Sequence, residues 1–117
     1  MNILLVDDEQ EVLEAVREIL ETDNQQIFLA TEPKEALEIL NEGQIEVIIT
    51  DLSMPEMSGQ YFIEIAKVKF PSIPVVVLSA HIDSEEALLN MGVYKALHKP
   101  PEIDLLLGTL RELEEKN

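Results

Sequence analysis

The chain has no cysteine and no tryptophan, and only two tyrosines and three phenylalanines. Without cysteine there is no disulfide framework and no thiolate metal site. So few aromatics leave the core to aliphatic side chains. No apolar run approaches the roughly 20 residues that span a bilayer. No basic segment leads into the first apolar stretch, as a signal peptide would require. A soluble, cytoplasmic protein without membrane contact is therefore expected. Bases are scarce as well: 8 Lys and Arg stand against 24 Asp and Glu, a formal net charge of −16. Such a surface repels a nucleic-acid backbone and favours cations or positively charged partners. Repeats, low-complexity tracts and a second composition regime are missing too, so residues 1–117 are expected to form one domain.

What the chain does have is alternation. Asn2–Val6 is an almost continuous apolar run, the pattern of a strand buried on both faces. Asp7 and Asp8 follow it. Val12, Leu13, Val16, Ile19 and Leu20 then recur at helical spacing. Asp8 suits the N-cap of that helix, with Glu11 completing a capping box. Gln26–Ala30 reads as a second strand. Pro33 opens the next helix and Gly43 closes it. Val47–Thr50 is a third strand, ending at Asp51, and a helix over Gly59–Lys69 follows, stopped by Pro71. Pro74–Leu78 is strongly β-forming and ends at Ser79-Ala80. Asp83 or Ser84 caps a short helix closed by Gly92. Tyr94–Leu97 is a fifth strand, followed by His98-Lys99-Pro100-Pro101. In the last helix Ile103, Leu106, Leu107, Leu110 and Leu113 form one stripe, with Leu105 off it. Strands alternating with helices in this way predict a flavodoxin-like (βα)5 fold, a doubly wound parallel sheet of order 2-1-3-4-5.

In such a sheet, sites form beyond the carboxyl ends of the strands, where strand order reverses. The residues there are Asp7 and Asp8, Asp51, Ser79 and Lys99. Carboxylates about 4 Å apart repel by roughly 4 kcal/mol at an effective dielectric of ~20. A hard divalent cation with oxygen ligands relieves that conflict, and Mg²⁺ suits few carboxylates with open water positions. Acids, a metal, a hydroxyl and an ammonium together can hold a phosphoryl group. Asp51 is placed to be its nucleophile. Taken singly, each residue has a plainer role: the acids as caps or turn residues, Ser79 as a loop hydroxyl, Lys99 as a surface lysine. His81 and His98 read as solvated loop histidines, and Met54 and Met57 as loop packing.

Taken together, these residues resemble the receiver domain of two-component response regulators over essentially the whole chain. The acidic pair falls on Asp7 and Asp8. The Asp-x-x-Met-Pro-x-Met-x-Gly loop falls on Asp51, Met54, Pro55, Met57 and Gly59. The switch hydroxyl with its small neighbour falls on Ser79-Ala80, and the Lys-Pro pair on Lys99-Pro100. The resemblance implies that Asp51 is the phosphoacceptor, served by a sensor histidine kinase or phosphotransfer protein. It implies Mg²⁺ held directly by Asp8, Asp51 and the backbone carbonyl of Ser53, with Asp7 acting through water. Lys99 would pair with Asp51 and then with the phosphoryl oxygen, and Ser79 would swing toward it. The Lys99–Pro100 peptide would be cis. The output would be a domain or downstream protein reading helix 4, strand 5 and helix 5, a surface that could also make a homodimer. The domain itself would be regulatory, not an enzyme, while assisting its own phosphorylation and dephosphorylation.

One position departs from the family pattern. Three residues before the lysine, where receivers carry an aromatic switch, stands Ala96; Tyr94 is the candidate stand-in on the same strand face. The competing function is a Mg²⁺-dependent phosphohydrolase with an aspartate nucleophile. Such enzymes place the nucleophile after strand 1 in Asp-x-Asp, whereas here strand 1 ends Asp-Asp-Glu. A flavodoxin-like cofactor binder would need a hydroxyl- and glycine-rich loop after strand 1, where this chain is acidic. The chain stops soon after the last helix. A free-standing regulator and the amino-terminal receiver of a longer protein both fit that reading.

Overall fold

A computed structural model describes residues 1–21, 25–54 and 57–116. Pro55, the proline of the loop signature, lies outside the described residues. Five strands alternate with five helices: β1 (Asn2–Val6), α1 (Gln10–Leu20), β2 (Gln26–Ala30), α2 (Pro33–Asn41), β3 (Val47–Thr50), α3 (Gly59–Lys69), β4 (Val75–Ser79), α4 (Glu85–Asn90), β5 (Lys95–His98) and α5 (Ile103–Lys116). All pairings are parallel, and the sheet order is β2-β1-β3-β4-β5, as the alternation predicts.

The strands are apolar on both faces because both faces are covered. Leu4, Val6, Ile48, Val75 and Val77 pack with Ala36 and Leu40 of α2, Phe62, Ile63 and Ala66 of α3, and Leu88 of α4. Ile3, Leu5, Val47, Ile49, Val76 and Leu78 turn the other way, onto Leu13, Val16 and Leu20 of α1 and Leu106, Leu110 and Leu113 of α5. Each Val, Leu, Ile or Phe side chain among these contributes about 1.5–3 kcal/mol on burial. Phe62 is fully buried and is the largest side chain in that state; its truncation to alanine would cost about 3–5 kcal/mol. Two sandwiched layers of this kind hold β1, β3 and β4 rigid, and so fix where their carboxyl ends stand.

Local chemistry explains most of the boundaries. Pro33 sits in the first turn of α2. The Ser58 hydroxyl accepts the Tyr61 N–H at the start of α3, and Ser84 accepts the Ala87 N–H at the start of α4. Gly43 and Gly92, with φ of 83° and 97°, carry the chain out of α2 and α4.

Several expectations are corrected. The N-cap position of α1 is taken by Glu9, without a side-chain cap, and not by Asp8 with a Glu11 capping box. The Glu9 amide is instead satisfied by Asp7 Oδ1 at 2.9 Å, so the acids before α1 face the rim. β4 starts one residue later than read and runs on through Ser79, and β5 spans Lys95–His98 instead of 94–97. Pro74 lacks the N–H that a ladder residue would give, although its carbonyl accepts the Ile48 N–H. Ile103 lies in the first turn of α5 and is 52% exposed; Thr109 joins the buried stripe instead, its hydroxyl bonded to the Leu105 carbonyl. Leu105 is exposed, off the stripe as read.

Tyr94 also departs from its expected place. It precedes β5, and its ring packs on the α1/α5 layer, whereas Ala96 packs on the α3/α4 side. Strand alternation therefore does not carry back to Tyr94, and it does not share a face with Ala96. Its hydroxyl donates to Glu112 Oε1 at 2.7 Å, and Lys116 Nζ lies 4.7 Å from its ring centroid.

Candidate functional site

Beyond the carboxyl ends of the paired strands β1 and β3, three acids and the Lys99 ammonium come together. Asp7 follows β1 and is 4% exposed; Asp51 follows β3 and is 5% exposed. Asp8 is exposed beside them, and one carboxylate oxygen from each of the three lies within 4.8 Å of the others. Beneath Asp7 and Asp51 the space closes to a void of about 10 Å³, lined largely by apolar side chains of the sheet and α1. Approach to the carboxylates is therefore from the rim.

Asp51 is held from several directions. Its backbone N–H donates to the Val6 carbonyl at 2.9 Å. Its Oδ1 accepts the Leu52 N–H at 2.7 Å, and its Oδ2 lies 3.2 Å from Lys99 Nζ. Lys99 also reaches Asp7 Oδ2, at 2.5 Å. The lysine thus bridges both buried acids: the pairing with Asp51 that the resemblance implies is present, and a closer one to Asp7 stands beside it. Its backbone N–H donates to the Ser79 carbonyl at 3.0 Å, which continues the β4–β5 ladder one residue. The Lys99–Pro100 peptide is cis, in line with the expectation.

Ser79 is buried at the end of β4. Its hydroxyl donates to the His81 carbonyl at 3.3 Å and accepts the His81 N–H at 3.4 Å. Both bonds are long and weak. Among the described residues they leave Ser79 on the loop and off the acids. Ser53 is exposed next to Leu52. His81 pairs with Asp83 in solvent and His98 is exposed. Neither joins a metal-capable group among the described residues. Met54 is buried and Met57 partly buried against the α2–α4 side of the sheet, as loop packing requires.

Burial pushes the Asp7 carboxyl above its ordinary value; the Lys99 hydrogen bond, the Glu9 N–H and the Lys99 charge pull the other way, and the Asp51 charge adds to the rise. Burial works against the Lys99 ammonium, but its hydrogen bond to Asp7 and the charges of Asp7 and Asp51 outweigh it and raise its pKa. Ionised, three carboxylates face one ammonium, an excess of two negative charges. All the side-chain donors in the acid group are hard oxygens. That set fits a small divalent cation such as Mg²⁺.

Two features went unread in the sequence. One is the Asp7–Lys99 contact, which joins residues 92 positions apart. The other is Thr50, fully buried, whose hydroxyl donates to the Asp51 carbonyl at 2.9 Å. The signal for Thr50 was present: it is the polar residue of β3, placed last, just before the aspartate.

Residues 3–111 match the family model for the response regulator receiver domain. The chain belongs to that family. Among curated proteins, this receiver is 34% identical over 119 residues to the transcriptional regulatory protein GlrR of Escherichia coli (strain K12), covering 99% of the chain and 27% of GlrR. It spans about a quarter of the length of the curated relatives it matches. Among solved structures, the receiver domain of the Francisella response regulator 1452 superposes with a TM-score of 0.89 at 28% identity, over 98% of this chain and 97% of that one. A receiver domain protein from Clostridium thermocellum gives 0.88 at 31% identity, over 98% and 94%. The receiver fold read from the sequence is thus the fold found.

Proposed function

We propose that this receiver is a phosphorylation-dependent signalling switch in which Asp51 accepts a phosphoryl group from a phosphohistidine on a sensor histidine kinase or phosphotransfer protein. The observation that carries the reading is Asp51 itself: a buried carboxylate at the end of β3, 3.2 Å from an ammonium and grouped with two further acids. A carboxylate oxygen forms the new bond to phosphorus as the bond from phosphorus to the histidine ring nitrogen breaks, and that nitrogen keeps the electron pair. Lys99 shifts from the carboxylates to the phosphoryl oxygens as negative charge arrives there. Ser79 exchanges its long bonds to His81 for one to a phosphoryl oxygen and draws the loop before α4 inward. Asp8, Asp51 and the Ser53 carbonyl would hold Mg²⁺, with Asp7 supporting the ion through water. The ion supplies neutralisation of the charge on the transferred group.

The domain is regulatory and not an enzyme, while assisting its own phosphorylation and dephosphorylation. Its readout is the surface of α4, β5 and α5, offered to an output domain, a downstream protein or a second copy. An output domain is supported by the relatives, of which this chain matches only about a quarter. With Ala96 small and Tyr94 bonded to α5, that readout does not use an aromatic side chain at position 96. The acidic surface keeps the domain itself off nucleic acid, and the setting is the cytoplasm, away from membrane.

The test is intact-mass measurement after incubation with Mg²⁺ and acetyl phosphate. One added phosphoryl group is expected on the wild type and none on Asp51→Asn. An unlabelled wild type, or equal labelling of the variant, overturns the reading.

A further inference from the structure

Thr50 is the last residue of β3, and both ladders stop with it: it pairs Val6 on one side and Val77 on the other. Asp51 is one residue beyond. Its N–H still reaches the Val6 carbonyl of β1, but its own carbonyl has run out of strand. A buried carbonyl needs a donor. Here the donor is the Thr50 hydroxyl, at 2.9 Å and with the residue wholly buried. Gly59 closes the other side: a Cβ there would stand 2.5 Å from the Asp51 carbonyl oxygen and 2.4 Å from Leu52 Cα.

The Asp51 carbonyl and the Leu52 N–H belong to one planar peptide, so they turn together. The Thr50 hydroxyl holds one edge of that plane. The other edge donates to Asp51 Oδ1 at 2.7 Å. The next peptide, 52–53, is anchored in its turn, since the Gly59 N–H donates to the Leu52 carbonyl at 2.9 Å. Rotation of the 51–52 peptide would therefore carry away the donor that orients the carboxylate.

We infer that Thr50 is a positioning residue for Asp51: through the 51–52 peptide, its hydroxyl fixes which way the carboxylate faces the Lys99 and acid cluster. For its catalytic consequence the inference rests on the phosphoacceptor reading above. Its structural consequence, an ordered Leu52 amide, does not.

The test uses Thr50→Val, which keeps a β-branched shape suited to a strand and deletes the donor. Thr50→Ser restores the donor without the methyl group. Three quantities are read on each protein: the Mg²⁺ dissociation constant by calorimetry, the initial rate of adduct formation from acetyl phosphate, and hydrogen exchange of the Leu52 amide relative to Ile48 and Ile49 in EDTA. Misplacing a reacting group slightly is costly, so Thr50→Val is expected to lose about tenfold in rate. It should also bind Mg²⁺ more weakly and speed Leu52 exchange selectively. Thr50→Ser should stay within about twofold of wild type, since it keeps the donated bond. Equal rates and affinities in wild type and Thr50→Val overturn the inference, as does a folded Thr50→Ser as slow as the valine variant. Should Thr50→Val not fold, Thr50→Ala takes its place as the variant without a hydroxyl. If the wild type neither binds Mg²⁺ nor is labelled, the phosphoacceptor reading falls alone. The positioning role is then decided by Leu52 exchange, and no selective change sinks it.

Discussion

Lys99 Nζ sits 2.5 Å from Asp7 Oδ2 and 3.2 Å from Asp51 Oδ2, so one ammonium serves two buried carboxylates that would otherwise face each other. Removing it leaves two buried like charges without a counter-charge. Breaking a buried pair costs about 3–5 kcal/mol. The lysine side chain is 13% exposed, and burial already favours the protonated form of Asp7, which lowers the figure to about 1–3 kcal/mol. Lys99→Ala is therefore expected to unfold at lower urea in EDTA. The same ammonium competes with any cation for those two oxygens. Added Mg²⁺ should accordingly raise the melting temperature of Lys99→Ala more than that of the wild type. An equal or smaller gain would show that the lysine and the ion do not share the site.

Asp51→Asn should act in the opposite direction. It removes one negative charge and leaves Asp7 matched one-to-one with Lys99. The amide oxygen can still accept the Leu52 N–H that Asp51 Oδ1 accepts. Metal-free stability is expected to be unchanged or about 1 kcal/mol higher by urea unfolding, while the Mg²⁺-induced rise shrinks. A loss above about 1 kcal/mol would mean that the Asp51 charge is stabilising in the metal-free cluster, contrary to this view.

What the sequence made legible is the set of strand ends. Apolar runs that stop at Asp7, Asp51, Ser79 and Lys99 place those residues on one rim once the order of strands is known. Partner choice within the rim was not legible. The assignment of Lys99 to Asp51 missed Asp7 because the choice depends on distances of a few tenths of an ångström between parallel strands. The Asp8 cap failed because α1 begins at Gln10, one residue later than a cap at Asp8 requires, which puts Glu9 at the N-cap. Asp7 took the Glu9 amide, and Asp8 went to solvent. Tyr94 failed because period-two alternation holds only inside a strand, and β5 begins one residue later. Thr50 was passed over because threonine is an ordinary strand former, and only burial beside a carbonyl beyond the ladder gives its hydroxyl a task.

Acid–base linkage separates the rim from the surface by sign. The Asp7 pKa is raised from 3.8, chiefly by burial. The folded state therefore binds that proton more tightly than the unfolded chain, and stability falls as pH rises from 3.8 through the raised value. Glu112 is the reverse case: the Tyr94 hydrogen bond, then Lys95, lower it from 4.5. Its contribution is present above 4.5 and fades as pH falls through the depressed value. Lys99 is raised above 10.5, so its contribution holds below 10.5 and is lost as pH climbs through the raised value. Wild type minus Asp7→Asn, measured in EDTA, should thus decline from pH 3.8 upward. Wild type minus Glu112→Gln should rise over the acid range. Matching slopes for the two would contradict the assignment.

The entry to α3 carries the sharpest steric demand. Gly59 begins that helix, and an added Cβ would lie 2.4 Å from Leu52 Cα, 2.5 Å from the Asp51 carbonyl and 2.8 Å from the Leu52 carbonyl. All three are backbone atoms, so no side chain can swing aside. Gly59→Ala must push the α3 terminus away from the 51–52 peptide and strain the Gly59 N–H bond to the Leu52 carbonyl. Overpacking of this kind costs about 1–3 kcal/mol, and the strained bond adds to it. Alanine's better helix propensity returns at most about 1 kcal/mol, and less at a first helical residue. A net loss of about 2 kcal/mol or more is expected in urea unfolding. Ser58→Ala is the control at the same helix end. It removes only the cap to the Tyr61 N–H, for about 1 kcal/mol, and leaves the 51–52 peptide in place. Gly59→Ala should therefore also reduce the Mg²⁺-induced rise in melting temperature, while Ser58→Ala should not. Equal effects of the two on the Mg²⁺ response would show that the helix end, and not the contact with Asp51, is what matters.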